Sequence, residues 1–192
     1  MLRFTLAVPT LLALSLPVAA QDIGAIDYDQ VFVENADQIE MLMDGGDTAR
    51  FQLDLPGNVT LWADVRGEVR NYSAMDNNEG GSVGCLWNAF NDVAVLHQSC
   101  PGVLDEGQAA RLEDYRMRVG NFVADNTVPP VPREAFWAEW SELASPTGGM
   151  ECAAIMGSET GPLIASLVSE GVEGLIASIL SVPRLPVETP CF

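Results

Sequence analysis

Four cysteines, Cys85, Cys100, Cys152 and Cys191, constrain this chain more than any other feature. All lie beyond residue 84, behind an N-terminus laid out as an export leader. Met1-Leu2-Arg3 is a short positive start, Phe4 to Leu16 is an apolar run, and Val18-Ala19-Ala20 places small residues before Gln21. That order predicts a secretory signal peptide over residues 1–20, cleaved after Ala20. The apolar run is too short to span a bilayer and no stop-transfer pattern follows it. An even number of cysteines in an exported chain predicts two disulfides. The expected location is the periplasm or the extracellular space.

Residues 21–192 are expected to form a single exported domain. Residues 21–80 supply a helix and β-meander part, and residues 84–192 supply a helical part with all four cysteines. The chain has 9 basic residues, all arginine; losing Arg3 with the leader leaves 8 against 27 acids, a net charge of −19. Nucleic acid and anionic lipid both need clustered cations, so neither is an expected partner. The acidity by itself indicates a well-solvated surface.

Periodicity divides the chain in the same way. Tyr28, Val31, Phe32, Ala36, Ile39, Leu42 and Met43 recur at steps of three and four, which predicts an amphipathic helix stopped by Asp44-Gly45-Gly46. The period then becomes two. Phe51, Leu53 and Leu55, then Val59, Leu61, Ala63 and Val65, predict two strands about Pro56-Gly57-Asn58, with a third strand over Glu68 to Tyr72 after Arg66-Gly67. This is a three-stranded antiparallel meander with one apolar face. A polar, glycine-rich stretch, Asp76 to Gly84, follows.

Three helices are then expected. Leu86, Phe90, Val93 and His97 share one face, stopped by Pro101-Gly102. Leu112, Tyr115, Val119 and Phe122 share another, with Asp105 and Gln108 at capping-box positions. Pro132 opens a third, carrying Phe136, Trp137, Trp140 and Leu143 and ending at Ser145-Pro146. A broad apolar stripe from Leu163 to Leu180 predicts the inner wall of a bundle; Glu170, Glu173, Gly171 and Gly174 argue against a membrane span.

The helices decide the disulfide pairing. A helix from Cys85 to Cys100 separates its ends by about 22 Å, whereas a disulfide needs Cα atoms within roughly 7 Å. Short connections set successive helices antiparallel. Cys152 therefore falls beside Cys100, and a final helix returning to the other end brings Cys191 to Cys85. The expected bridges are Cys100–Cys152 and Cys85–Cys191.

With all thiols oxidised, Cys100 has no thiolate to offer His97, the only histidine. His97 reads as a partly buried, hydrogen-bonded filler. One histidine and no Cys-x-x-Cys exclude the usual zinc and haem sets, so no cofactor is expected. Gly80-Gly81-Ser82-Val83-Gly84 matches the Gly-x-Ser-x-Gly elbow, but a polar loop precedes it and His97 follows after only fifteen residues. Asp76, Asn78 and Glu79 begin a calcium-loop pattern whose twelfth position is Trp87 rather than glutamate, which leaves at most a loose surface site.

The expected architecture is α+β: an N-terminal helix and small antiparallel meander, then a disulfide-braced, mostly antiparallel helical bundle. The preferred functional reading is a non-enzymatic exported module binding another protein or a cell-envelope component, without membrane insertion. The competing reading is a small exported serine hydrolase using Ser82 and His97.

Overall fold

The computed structural model describes residues 26–45, 48–143, 152 and 160–191. The leader, Gly46 and the Ser145-Pro146 stop lie outside the described residues. A short helix α1 (Tyr28–Glu34) leads through a 3-10 turn into strands β1 (Glu40–Gly45), β2 (Thr48–Leu55), β3 (Val59–Arg66) and β4 (Val69–Asp76). Helices α2 (Val83–Ser99), α3 (Glu106–Asn126), α4 (Arg133–Leu143), α5 (Thr160–Leu167) and α6 (Val172–Ile179) follow. The strands form one antiparallel sheet in the order β1-β2-β3-β4.

The first correction concerns residues 35–45. The helical spacing runs on past Glu34, but the helix does not. Asn35 turns back and donates from Nδ2 to the Val31 carbonyl at 2.8 Å, satisfying one of the acceptors that a helix end leaves open. Leu42 and Met43 belong to β1, which gives the edge of β2 a partner, with Met41 opposite Phe51. The sheet thus has four strands rather than three. The period-two reading of β2 and β3 is correct: Leu53 pairs with Leu61 and Phe51 with Ala63, and Leu53, Val59, Leu61 and Ala63 are buried. The opposite face is polar. There Arg50 grips Asp64 with two hydrogen bonds of 2.6 and 2.5 Å, and the Trp62 indole donates to Gln52 at 3.0 Å.

Gly57 and Asn58, both at positive φ, close the β2–β3 turn. Gly57 is needed twice over, because a Cβ there would stand 2.4 Å from the Arg184 Cβ.

In the helical half, local signals and structure agree. The Asp105 side chain accepts from the Gln108 amide at 2.8 Å, and Gln108 accepts from the Asp105 amide at 2.9 Å, a complete capping box at the start of α3. Along α2 and α3, Trp87 lies against Gly120 and Asn91 meets Arg116, so the two helices run antiparallel. Asn121 with Trp137, and Asp125 with Arg133, show the same for α3 and α4. Trp87, Phe136, Trp137 and Trp140 cluster with ring centroids 4.9–6.3 Å apart. A Cβ on Gly120 would fall 2.5 Å from the Trp137 ring, so this cluster closes only over glycine.

The stripe from Leu163 to Leu180 is not one helix. It breaks at Val168–Gly171 into α5 and α6, bent by 60°. Two side chains of α3 take the carbonyls freed there: Arg111 Nε donates to Val168 at 2.8 Å and the Tyr115 hydroxyl to Ser169 at 3.2 Å. No single described helix is long and apolar enough to cross a membrane.

Both expected disulfides are present, Cys85–Cys191 with Cα atoms 5.3 Å apart and Cys100–Cys152 at 5.6 Å. Cys191 reaches Cys85 on an extended tail after α6. That tail also joins the two apolar cores. Leu185 and Val187 enter the sheet core with Val31, Phe32, Leu53 and Leu61. The Val187 carbonyl meanwhile accepts from the Gly84 amide of α2 at 3.0 Å, and Thr189 accepts from Asp76 at 2.7 Å. The second core holds Leu86, Phe90, Val119, Phe136 and Ile176.

Candidate functional site

The inner face of the sheet has more apolar surface than α1 can cover. Asp27 caps this helix, accepting from the Gln30 amide at 2.9 Å, and its own amide donates to Val128 in the α3–α4 connection at 2.8 Å. So anchored, α1 buries Val31 and Phe32 over one half of the sheet. Over the other half a groove of about 610 Å³ stays open, lined by Phe32, Val33, Ile39, Met41, Phe51 and Val65. Val33 is 73% exposed and Met41 60%, an unusual state for large apolar side chains flanking one cleft. The exposed Asp37 adjoins the lining residue Ala36 in the chain, whereas Glu40 pairs with Gln52 and belongs to the polar outer face; Arg70, the cation that lines the groove, is paired with Asp29.

One end of the groove is closed by a polar clamp between α1 and β4. Asp29 accepts from Arg70 Nη1 at 2.7 Å and from the Tyr72 hydroxyl, and the Tyr72 ring stacks 5.5 Å from Tyr28. The Tyr72 hydrogen bond and then Arg70 hold the Asp29 carboxyl below its ordinary value of 3.8. Burial, then the bond to Asp29, pushes the Tyr72 hydroxyl up. Because the Asp29 value is depressed by folding, its contribution is complete above pH 3.8 and is lost as pH falls through the lower folded value. The amide protection factors of α1, exchange rates corrected for their intrinsic pH dependence, are therefore expected to hold steady from neutral pH down to the ordinary aspartate range and to fall only below it. Loosening of α1 well above that range would count against the clamp.

The residues singled out from the sequence do not converge. Ser82 is fully buried and caps α2, its Oγ donating to the Pro190 carbonyl at 3.0 Å and accepting from the Cys85 amide at 3.3 Å. His97 stands in the last turn of the same helix, about 22 Å away. Its Nδ1 is buried without a hydrogen-bond partner. Cys100 is bonded to Cys152, so no thiol stands beside the imidazole. Ser82→Ala is accordingly expected to cost about 1 kcal/mol, the value of an N-cap. A fluorophosphonate probe should leave Ser82 of the native protein unlabelled, and labelling would contradict the buried cap.

Asp76, Asn78 and Glu79 do not form an open calcium loop. Asp76 Oδ2 receives Arg184 Nε at 2.6 Å, and Oδ1 receives the Asn78 amide at 3.0 Å and its Nδ2 at 2.6 Å. Glu79 points to solvent. Among the described residues no three His, Cys, Asp or Glu side chains stand together as a metal site. The Asp76–Arg184 pair itself escaped the sequence reading, although a lone cation in the apolar tail Val182-Pro183-Arg184-Leu185 was its signal.

The fold and groove define a disulfide-bridged α+β protein whose antiparallel sheet leaves part of its apolar inner face open. No protein-family model, curated protein or solved structure matches the chain.

Proposed function

We propose that this protein is an exported, non-enzymatic binding module whose groove between α1 and the sheet receives an apolar segment of another protein. The observation that carries the reading is the open half of the sheet face, where Val33 and Met41 project beside buried Phe32. Two disulfides fit an oxidising compartment beyond the cytoplasm. The occupant's chemistry follows from charge. The whole chain carries −18, Asp37 adjoins the groove lining, and the lining cation Arg70 is already held by Asp29, so the favoured segment is apolar with lysine or arginine on its flanks. The same charge opposes a second copy of this chain in that position.

Photo-crosslinking in the exporting cell tests this. A benzophenone residue replacing Val33 or Met41 is expected to capture the same protein, through an apolar peptide with basic flanks and at a yield that falls with added salt. Position 69, where Val69 is 59% exposed at the start of β4 and outside the groove lining, is the control. Absence of an adduct, an intramolecular adduct, or equal capture from position 69 would overturn the reading.

A further inference from the structure

A second cavity, away from the groove, lies where α2, α3 and α4 meet. Its volume is about 380 Å³, near the lower end of what small-molecule sites occupy. Asn88, Asn91, Asp92 and Val95 line it from one face of α2, Arg116 from α3 and Trp140 from α4.

Two donors in this cavity are short of acceptors. The Trp140 indole N–H is buried and has no hydrogen-bond partner. A buried donor left open costs stability unless a ligand or water takes it. Arg116 is the other. Its side chain is only 12% exposed, and its guanidinium lies 5.1 Å from the Trp137 ring centroid and 6.0 Å from that of Trp87. Nε donates to the neutral amide oxygen of Asn91 at 2.8 Å, while Nη1 has one long contact, 3.5 Å, to the exposed Glu113. By comparison Arg50, Arg70, Arg118, Arg133 and Arg184 each meet a carboxylate at 2.7 Å or less, while Arg111 stands 3.8 Å from Glu170. Arg116 is a cation held on aromatic rings, and among the described residues its Nη2 has no hydrogen-bond or ion-pair partner.

A guanidinium and an indole N–H, carried by two residues that line one cavity, suit a carboxylate. A plain anion, however, would have to approach a protein of charge −18 and sit near Asp92, which lines the same cavity and is exposed. A ligand with its own ammonium group meets both conditions, since it is neutral overall and brings a partner for Asp92. We propose that this cavity binds a free α-amino acid, its carboxylate on Arg116 and the Trp140 indole, its ammonium group on Asp92, and its side chain towards Val95.

Calorimetric titration of the oxidised full chain with the individual amino acids tests the assignment, with the matching deaminated acids and decarboxylated amines as controls. At least one amino acid is expected to bind with a Kd of ~1 mM or tighter, and both classes of control to bind at least tenfold more weakly, as expected for a lost charge-assisted contact. Trp140→Phe keeps a six-membered aromatic ring and removes the N–H; it should weaken the amino acid about tenfold while the protein stays folded, with a thermal midpoint lowered only by the volume lost from the aromatic cluster. Asp92→Asn, on the exposed side of α2, should weaken the amino acid similarly and leave the deaminated acid unchanged. No binding by any amino acid would overturn the proposal. So would deaminated acids binding as tightly as their parents, or two folded variants that bind like the wild type.

Discussion

Asp76→Ala is expected to destabilise the protein by about 3–5 kcal/mol, the cost of leaving one member of a buried ion pair alone. The Asp76 and Arg184 side chains are 0% and 2% exposed, and Arg184 Nε reaches Asp76 Oδ2 at 2.6 Å. Arg184 Nη1 also donates to the Ile179 and Val182 carbonyls, but Nη2 is buried without a partner. Removing the carboxylate therefore strands a cation whose hydrogen bonding is already incomplete. It also deprives the Asn78 amide of its acceptor and leaves Asn78 Nδ2 with the Gly57 carbonyl alone. Urea denaturation of the oxidised protein measures the loss. The double variant Asp76→Ala with Arg184→Met should recover much of it, because replacing a buried pair with apolar groups costs far less than breaking it. A single variant within about 1 kcal/mol of wild type would mean that water or a rearranged tail reaches the guanidinium.

Removing the Cys85–Cys191 bridge is expected to cost about 4–5 kcal/mol in the chain-entropy account of cross-links. The bridge joins residues 106 apart, whereas Cys100–Cys152 joins residues 52 apart. Loop-closure entropy grows only with the logarithm of length, so the second bridge should be worth only about 0.6 kcal/mol less. The comparison separates two explanations of how the tail is held. Gly84, Asp76 and Ser82 all donate to tail carbonyls between Val187 and Pro190. If those bonds and the buried Leu185 and Val187 suffice, Cys85→Ser with Cys191→Ser will cost less than about 1 kcal/mol, and the cross-link account fails for this bridge. If the cross-link dominates, the loss is large, and amide exchange at Gly84 and Asp76 accelerates with it.

How much of this was legible in the residues depends on the range over which each feature is decided. The α3 capping box needs only Asp105 and Gln108, three positions apart, and the structure has it as read. The β2–β3 register follows from alternation through a turn made by Gly57 and Asn58. The disulfide pairing followed from helix length, because α2 holds Cys85 and Cys100 at opposite ends. By contrast, residues 36–43 carry helical spacing and still form the end of a turn and an edge strand. What decides there is the backbone of β2, whose edge from Thr48 to Gln52 gains partners from Glu40–Gly45 across a bulge at Leu42. The break between α5 and α6 has the same kind of cause: Arg111 and Tyr115, more than fifty residues away, accommodate the freed carbonyls.

The candidate sites were the least legible part. Ser82, His97 and Asp76 drew attention because their residue types suit chemistry, but type does not reveal occupation. Ser82 is spent on a cap and Asp76 on Arg184, 108 residues away. The groove and the α2–α3–α4 cavity are gaps between elements, so no run of residues spells them.

By itself the sequence determined the oxidised framework, the strongly acidic surface and each element governed by neighbours within a turn or a hairpin. Those depend on covalent chemistry, charge count and hydrogen bonds that close over a few residues. Only the tertiary structure decided where α1 stops, which cation lies beneath the β2–β3 turn, and how much of the sheet face stays open. These depend on contacts between residues tens of positions apart, whose distance is set by the packing of the whole chain rather than by any local pattern.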